Sequence, residues 1–363
     1  MNIAKEKLLE YILYFSSVFL YMWMNYVIIL KIGSFIGLDF EVRIFIVLLI
    51  LSFSYLISVR LERQISNKFT RMLYVFAVYW MGLIFISFVT LMLYDTISRF
   101  YQIPFIITMG IMLILFFWII PIALKNGKKL TIKELEFTHK NITKPVTIVQ
   151  LSDLHLGSIH THKFLPRVFE KIKDLEYDVI CITGDLADGS APITHETVEA
   201  FEHIQKPVFF VSGNHDYLNG KDRFFKALEQ TPITVLESKK RKVKGITFCG
   251  TAFSKVRNYA YTELEKLKLP KDSYVVHLNH IPLNIKKLSE FPVNLMICGH
   301  THHGQIKPAH IFAKLVYKTY KGLHAHNQTF MYISPGTGNW GPPMRIGTRN
   351  EITIIRLKPE QEN

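Results

Sequence analysis

Five short stretches of this chain gather residue types that bind metals or move protons. "SDLHLG" holds Asp153 and His155, two residues apart and followed by Gly157. "TGD" ends in Asp185, "GNHD" runs from Gly213 through Asn214 and His215 to Asp216, "NHIP" holds His280, and "GHTHHGQ" carries His300, His302 and His303. Carboxylate, amide and imidazole donors without a thiolate suit Mn2+, Fe or Zn2+, and one carboxylate can bridge two ions. A lone Asp-x-His could equally be a turn cap with its histidine in solvent. Five such endings in succession are harder to ascribe to turn chemistry, because each follows an apolar run.

Those runs, "VTIVQLS", "DVICITG", "PVFFVSG", "YVVHLNH" and "NLMICG", read as buried strands. "HKFLPRVFEKIKDL" and "ITHETVEAFEHI" between them read as amphipathic helices. The pattern predicts an α/β layered domain with five donor-bearing strand ends in register along one edge, beyond the carboxyl ends where such folds place their sites. Gly184, Gly213 and Gly299 let the chain turn sharply and let backbone come close to a ligand. Later runs, "GITFCGTAF", "TFMYISPG" and "EITIIRL", predict a second sheet packed on the first. Cys181, Cys249 and Cys298 each sit in a strand-like run without C-x-x-C spacing, which reads as buried core thiols and a reducing compartment.

The first 124 residues are of another kind. Four apolar stretches, roughly Leu8–Leu30, Phe40–Val59, Met72–Tyr94 and Ile103–Leu124, approach or exceed the ~20 residues that cross a bilayer core. They have no polar face, unlike the surface helices of a soluble domain. This part holds nine Lys and Arg against six Asp and Glu, so of the formal charge of +14 roughly +11 falls on the remainder. A basic domain beside an apolar one fits an anionic membrane surface or a phosphorylated substrate. No basic–aromatic motif points to nucleic acid, and no protein partner is predicted. Lys5 and Lys7 precede the first stretch, Arg60, Arg63, Lys68 and Arg71 lie between the second and third, and Lys125, Lys128, Lys129 and Lys133 follow the fourth. The other two loops hold only Lys31, Arg43 and Arg99, so the basic count expects the N-terminus, the middle loop and the C-terminal domain in the cytoplasm. The expected organisation is a four-span region over 1–124, a linker and first strand over 125–144, and the α/β domain over 145–363.

The motifs D-x-H, G-D, G-N-H-D, H-x-P and G-H-x-H, in this order over Val146 to His302, resemble the calcineurin-like metallophosphoesterase family. The resemblance implies a sandwich of two mixed sheets flanked by helices, here preceded by an all-α four-helix transmembrane region. It implies two divalent ions, Mn2+ first, with Mg2+, Fe or Zn2+ as alternatives. Asp153, His155 and His302 would hold one, Asn214, His280 and His300 the other, and Asp185 would bridge them. His215 matches the family's catalytic histidine, which contacts the phosphate, and Asp216 would orient it. Arg345 in "GPPMRIG" is a candidate for extending the field onto the phosphate, or an ordinary surface arginine. His303 would line the pocket or lie exposed. His277 is the weaker competitor of His280, and His160, with the remaining histidines, reads as a surface or loop residue.

The tail "GHTHHGQIKP … MYISPGTGNWGPPMRIGTRNEITIIRL" is similar to membrane-associated bacterial phosphoesterases of lipid-linked or other diesters. The segment His310–His326 mixes Phe312, Leu315, Val316, Tyr317 and Tyr320 with Lys314, Lys318 and Lys321, which reads either as an interfacial face or as a surface element packed on its own domain. The expected partners are thus the bilayer and a lipid-linked phosphate. The specific candidate is UDP-2,3-diacylglucosamine, hydrolysed to UMP and the lipid monophosphate in lipid A synthesis. Alternatives are another phospholipid, polyprenyl-linked or nucleotide substrate, or a non-catalytic membrane binding protein, which the complete set of expected ligands disfavours.

Overall fold

A computed structural model of the chain describes residues 3–35, 37, 42–256 and 258–360. It divides into two compact units, Met1–Pro121 and Ile122–Asn363.

The first unit consists of α1 (Ile3–Phe35), α2 (Val42–Gln64), α3 (Lys68–Tyr101) and most of α4 (Phe105–Lys128). All four are long and apolar enough to cross a membrane. Each runs past the C-terminal end of the apolar window read from sequence, because charged residues such as Arg60, Arg63, Arg99 and Lys125 sit on the helical ends, where long side chains reach polar surroundings; the fourth begins at Phe105, not at Ile103. The expected start of the second span at Phe40 lies outside the described residues. Polar pairs tie neighbouring helices: Trp80 Nε1 donates to Asn25 Oδ1 at 2.9 Å, and Lys31 Nζ meets Asp95 Oδ1 at 2.8 Å.

The second unit takes in the last turns of α4 and then two six-stranded mixed sheets. The strands are β1 (Leu130–His139), β2 (Val146–Leu151), β3 (Val179–Thr183), β4 (Val208–Val211), β5 (Ile233–Val235), β6 (Lys239–Val243), β7 (Ile246–Gly250), β8 (Val275–Leu278), β9 (Leu295–Cys298), β10 (Gly322–His326), β11 (Thr329–Ile333) and β12 (Asn350–Pro359). One sheet has the order β1-β12-β2-β3-β4-β5, the other β10-β11-β9-β8-β7-β6. β1, which falls in the stretch expected to hold a linker and first strand, is an edge strand of the first sheet, paired in parallel with β12 over its whole length.

The central strands are apolar on both faces because both faces are covered. Val179 and Cys181 point from β3 into the core between the sheets, against a layer that includes Phe248, Val276, Leu278 and Ile297. Their neighbours Ile180 and Ile182 point the other way, onto the helix Phe164–Ile172 and the turn around Phe201. Tyr261, Leu264 and Leu288 cover the outer face of the second sheet. All three cysteines are free and buried.

This arrangement corrects two expectations. The five donor-bearing strands do not share one edge: β2, β3 and β4 belong to the first sheet, β8 and β9 to the second. "EITIIRL" likewise lies in the first sheet, as β12, and not in the second. The sandwich stacks the two carboxyl edges, so the donors converge from both layers.

Candidate metal centre

Three of the five strands, β2, β3 and β9, end in donors held by an unusual backbone. Asp153, His155, Asp185, His300 and His302 all have φ between 48° and 69°, the left-handed region that residues with a Cβ seldom enter. Such conformations cost of order 1 kcal/mol each and persist only where the surroundings impose them. The surroundings here are other parts of the same loops. His155 N–H donates to Asp185 O at 2.9 Å, Asp153 N–H to Gly184 O at 3.0 Å, and His300 N–H to the Asp153 carboxylate at 3.0 and 3.1 Å.

The glycines serve close approach more than turning. A Cβ on Gly213 would fall 2.1 Å from Asp185 Oδ1, and one on Gly299 2.1 Å from Asp153 Oδ2. Of the three expected glycines only Gly184 has positive φ, and there a Cβ would strike the His280 ring at 2.4 Å.

The side chains form two groups that share one oxygen. His155 Nε2 and His302 Nε2 are 3.1 Å apart, and His302 Nε2 lies 3.5 Å from Asp153 Oδ1. His280 Nε2 lies 3.1 Å from both Asn214 Oδ1 and His300 Nδ1. Asp185 Oδ2 stands between the groups, 3.2 Å from His280 Nε2 and 3.8 Å from His155 Nε2. Its other oxygen is occupied, accepting the His215 N–H at 2.8 Å. Donors each ~2.0–2.2 Å from a common ion lie about 3.0–3.5 Å apart, so this spacing fits a cation at the centre of each group.

The protonation states fit too. Burial keeps His155 and His302 well below the ordinary imidazole range and His300 down at about 3, so their lone pairs are free. For Asp185, burial alone would raise the carboxyl, but the imidazoles of His280, His215 and His155 outweigh it and hold the group well below the ordinary range. Burial would lower His280, but the Asp185 charge and hydrogen bond, with Asp153, lift it to about 9. A cation bound there would take the place of that proton. His280 Nδ1 faces Thr183 O at 3.0 Å, so Nδ1–H donates there and Nε2 is aimed at the site.

His215 is half-buried beside the first group, its ring edge-on to His155 with centroids 5.0 Å apart. Its Nδ1–H donates to the Asp188 carbonyl at 2.8 Å, which leaves Nε2 for a ligand. Asp216 does not orient this ring. Its carboxylate accepts the N–H groups of Gly213, Ala187 and Asp185 at 2.7, 2.8 and 3.1 Å, pinning the β3 and β4 loops together and so positioning Asp185.

Three further expectations are corrected, for Arg345, His303 and His160. Arg345 is 0% exposed, with Nη2 donating to Pro335 O at 2.7 Å and Gly338 O at 2.8 Å, and Nε to Asn339 Oδ1 at 3.0 Å. Its Nη1 is 3.4 Å from His302 O and 3.5 Å from Thr348 Oγ1, so all five N–H groups face the protein and the guanidinium braces the loop behind the ligand. His303 turns its Nε2 to Ile333 O at 2.9 Å and is held by the second sheet. His277 is buried against Thr251 Oγ1 at 3.1 Å, away from both groups. His160 is buried rather than exposed, stacked on Phe164 and 3.2 Å from the Asn339 nitrogen.

Sequence reasoning missed Asp188 and an aromatic rim. Asp188 is buried, with Oδ1 3.7 Å from His155 Nδ1, and joins His155 and His215 in a third cluster of donors. Its signal was present in "GDLADGS", three residues beyond Asp185. Tyr317, Trp340 and Phe253 have ring centroids 5.6, 6.4 and 6.4 Å from those of His300, His215 and His280.

Residues 146–304 match the calcineurin-like phosphoesterase family. The chain is 31% identical to an uncharacterized metallophosphoesterase of Helicobacter pylori over 239 residues, 64% of this chain and 65% of that one. It is 32% identical to a transmembrane protein with metallophosphoesterase domain of Danio rerio, over 58% of this chain and 53% of the relative. With an uncharacterized metallophosphoesterase of Bacillus subtilis it shares 28% identity over 65% of this chain and 93% of the other. The chain thus spans just under two thirds of the Helicobacter protein and about half of the zebrafish one. The converging motifs lie within the stretch that is similar to the calcineurin-like phosphoesterases, residues 146–304.

Proposed function

We propose that the chain is a membrane-anchored phosphohydrolase in which Asp153, His155, Asp185, Asn214, His280, His300 and His302 hold two divalent ions, Mn2+ first. The observation that carries this reading is Asp185 Oδ2, which faces both donor groups at 3.2 and 3.8 Å. Such an ion pair, when bound, supplies Lewis-acid pull on phosphoryl oxygens and a water of lowered pKa. The chain's own residues do the rest. Asp185 sets the spacing of the two groups, and Asp216 holds Asp185 in place through the backbone. His215 Nε2 meets the phosphate and, as the imidazolium, returns a proton to the leaving oxygen, while Nδ1–H on Asp188 O keeps the ring turned inward.

The substrate we favour is a lipid-bearing phosphate ester or diphosphate at the inner leaflet of a bacterial cytoplasmic membrane. Four apolar helices and the excess of basic residues in the middle loop and after α4 support that placement. UDP-2,3-diacylglucosamine is the first compound to test, incubated with the full chain in detergent with Mn2+ or Mg2+ beside Asp185→Ala. UMP and lipid monophosphate, absent in the control, support the lipid A step. Cleavage of an aryl phosphodiester alone leaves the hydrolase and overturns that substrate. Metal bound without hydrolysis of either compound favours a binding protein.

A further inference from the structure

We infer that the short helix His310–Val316 and the turn after it dock this domain on an anionic lipid surface beside the metal centre. The helix buries none of its residues. Ile311, Phe312, Leu315 and Val316 are 51, 57, 77 and 71% exposed, and the last two are the most exposed large apolar side chains described in this unit. A soluble surface helix turns such residues inward, whereas this one leaves four uncovered on two turns.

The charge around them selects the partner. Between Glu290 and Glu351 the sequence contains no Asp or Glu, while Lys307, Lys314, Lys318 and Lys321 lie exposed on and beside the helix. Apolar side chains ringed by lysine are the composition of an interfacial element, and a protein groove would not require sixty residues free of acid. Four helices of the chain are long and apolar enough to cross a membrane, which would keep a lipid surface at hand.

The patch is joined to the site. Thr301, between His300 and His302, donates its hydroxyl to Tyr320 O at 2.7 Å, and the Tyr317 ring stands 5.6 Å from that of His300. A phosphate lifted from the headgroup layer passes Tyr317 to reach the centre. That route rests on the phosphohydrolase reading; the docking does not.

The test uses the full chain in vesicles. The native cysteines are all buried, so a nitroxide on Leu315→Cys labels one place, with Lys271→Cys at the opposite ends of the strands as control. In vesicles containing phosphatidylglycerol the label at 315 should be accessible to oxygen and shielded from a water-soluble nickel chelate, with the control exposed to nickel. Replacing Lys314, Lys318 and Lys321 with Gln should lower the docked-to-undocked ratio about fivefold per charge. A label at 315 as open to nickel as the control overturns the inference, and so does one shielded from both reagents, which means a protein covers it. Neither readout needs substrate or turnover, so docking and hydrolysis fail separately.

Discussion

Replacing Arg345 with Met separates a brace from a substrate contact. The methionine fills the space of the arginine stem but removes donors from Pro335 O, Gly338 O and Asn339 Oδ1, which now meet the guanidinium at 2.7, 2.8 and 3.0 Å. A buried acceptor left unpaired costs roughly 1–3 kcal/mol, and partial relaxation brings three of them to about 3–6 kcal/mol. For a domain of this size that is a fall in midpoint of roughly 6–24 °C. The chain offers its own reporter. Every cysteine, Cys181, Cys249 and Cys298, is buried in the second unit, so a thiol-reactive fluorophore in detergent reads the melting of this domain and not of the apolar helices. Arg345→Lys should melt nearly as early, since a point charge cannot serve three divergent carbonyls. Below the midpoint and at saturating metal, KM for a soluble aryl phosphodiester should stay within about twofold. A variant with the native midpoint and a KM raised tenfold would refute the bracing role.

Three further outcomes follow from the geometry. Gly213→Ala puts a Cβ where Asp185 Oδ1 and N now stand, 2.1 and 2.5 Å away, so metal content measured by plasma mass spectrometry should fall below one ion per chain; full occupancy would contradict the shared-carboxylate reading. His277 is kept neutral by burial, its folded pKa lowered from 6.5 to about 3, so between those values the unfolded chain binds the extra proton. Stability from this group is full above about 6.5 and is lost at ~1.4 kcal/mol per unit as pH falls towards 3. His277→Asn should flatten the midpoint-against-pH curve in that window, and an unchanged slope would be evidence against it. Asp188→Asn keeps the carbonyl that holds His215, so its rate should drop by no more than about tenfold, against about 10²–10⁴ for His215→Ala; equal losses would mean the Asp188 carboxylate itself acts in the step.

The donor residues were legible because their types stand out at the ends of apolar runs. Which sheet each strand joins was not, since β4 and β8 read alike locally and only the crossover between layers separates them. Arg345 was misread for a related reason: its partners are carbonyls of Pro335, Gly338 and His302, and a carbonyl carries no signature in the side-chain sequence. Asp216 and Asp188 both act through backbone groups, and their roles were hidden in the same way. His160 looked like a loop residue because nothing nearby announces that Phe164 will cover it. The four apolar helices were the plainest feature, as composition alone marks them; their charged ends were not.

The most direct measurement is a titration of the metal-stripped full chain with Mn2+ in detergent, following bound metal and aryl phosphodiester hydrolysis together. Activity rising to a plateau at two equivalents per chain, and abolished in Asp185→Ala, is the result this account predicts. Hydrolysis that needs no metal, or a plateau at one equivalent with Asp185→Ala fully active, would contradict it.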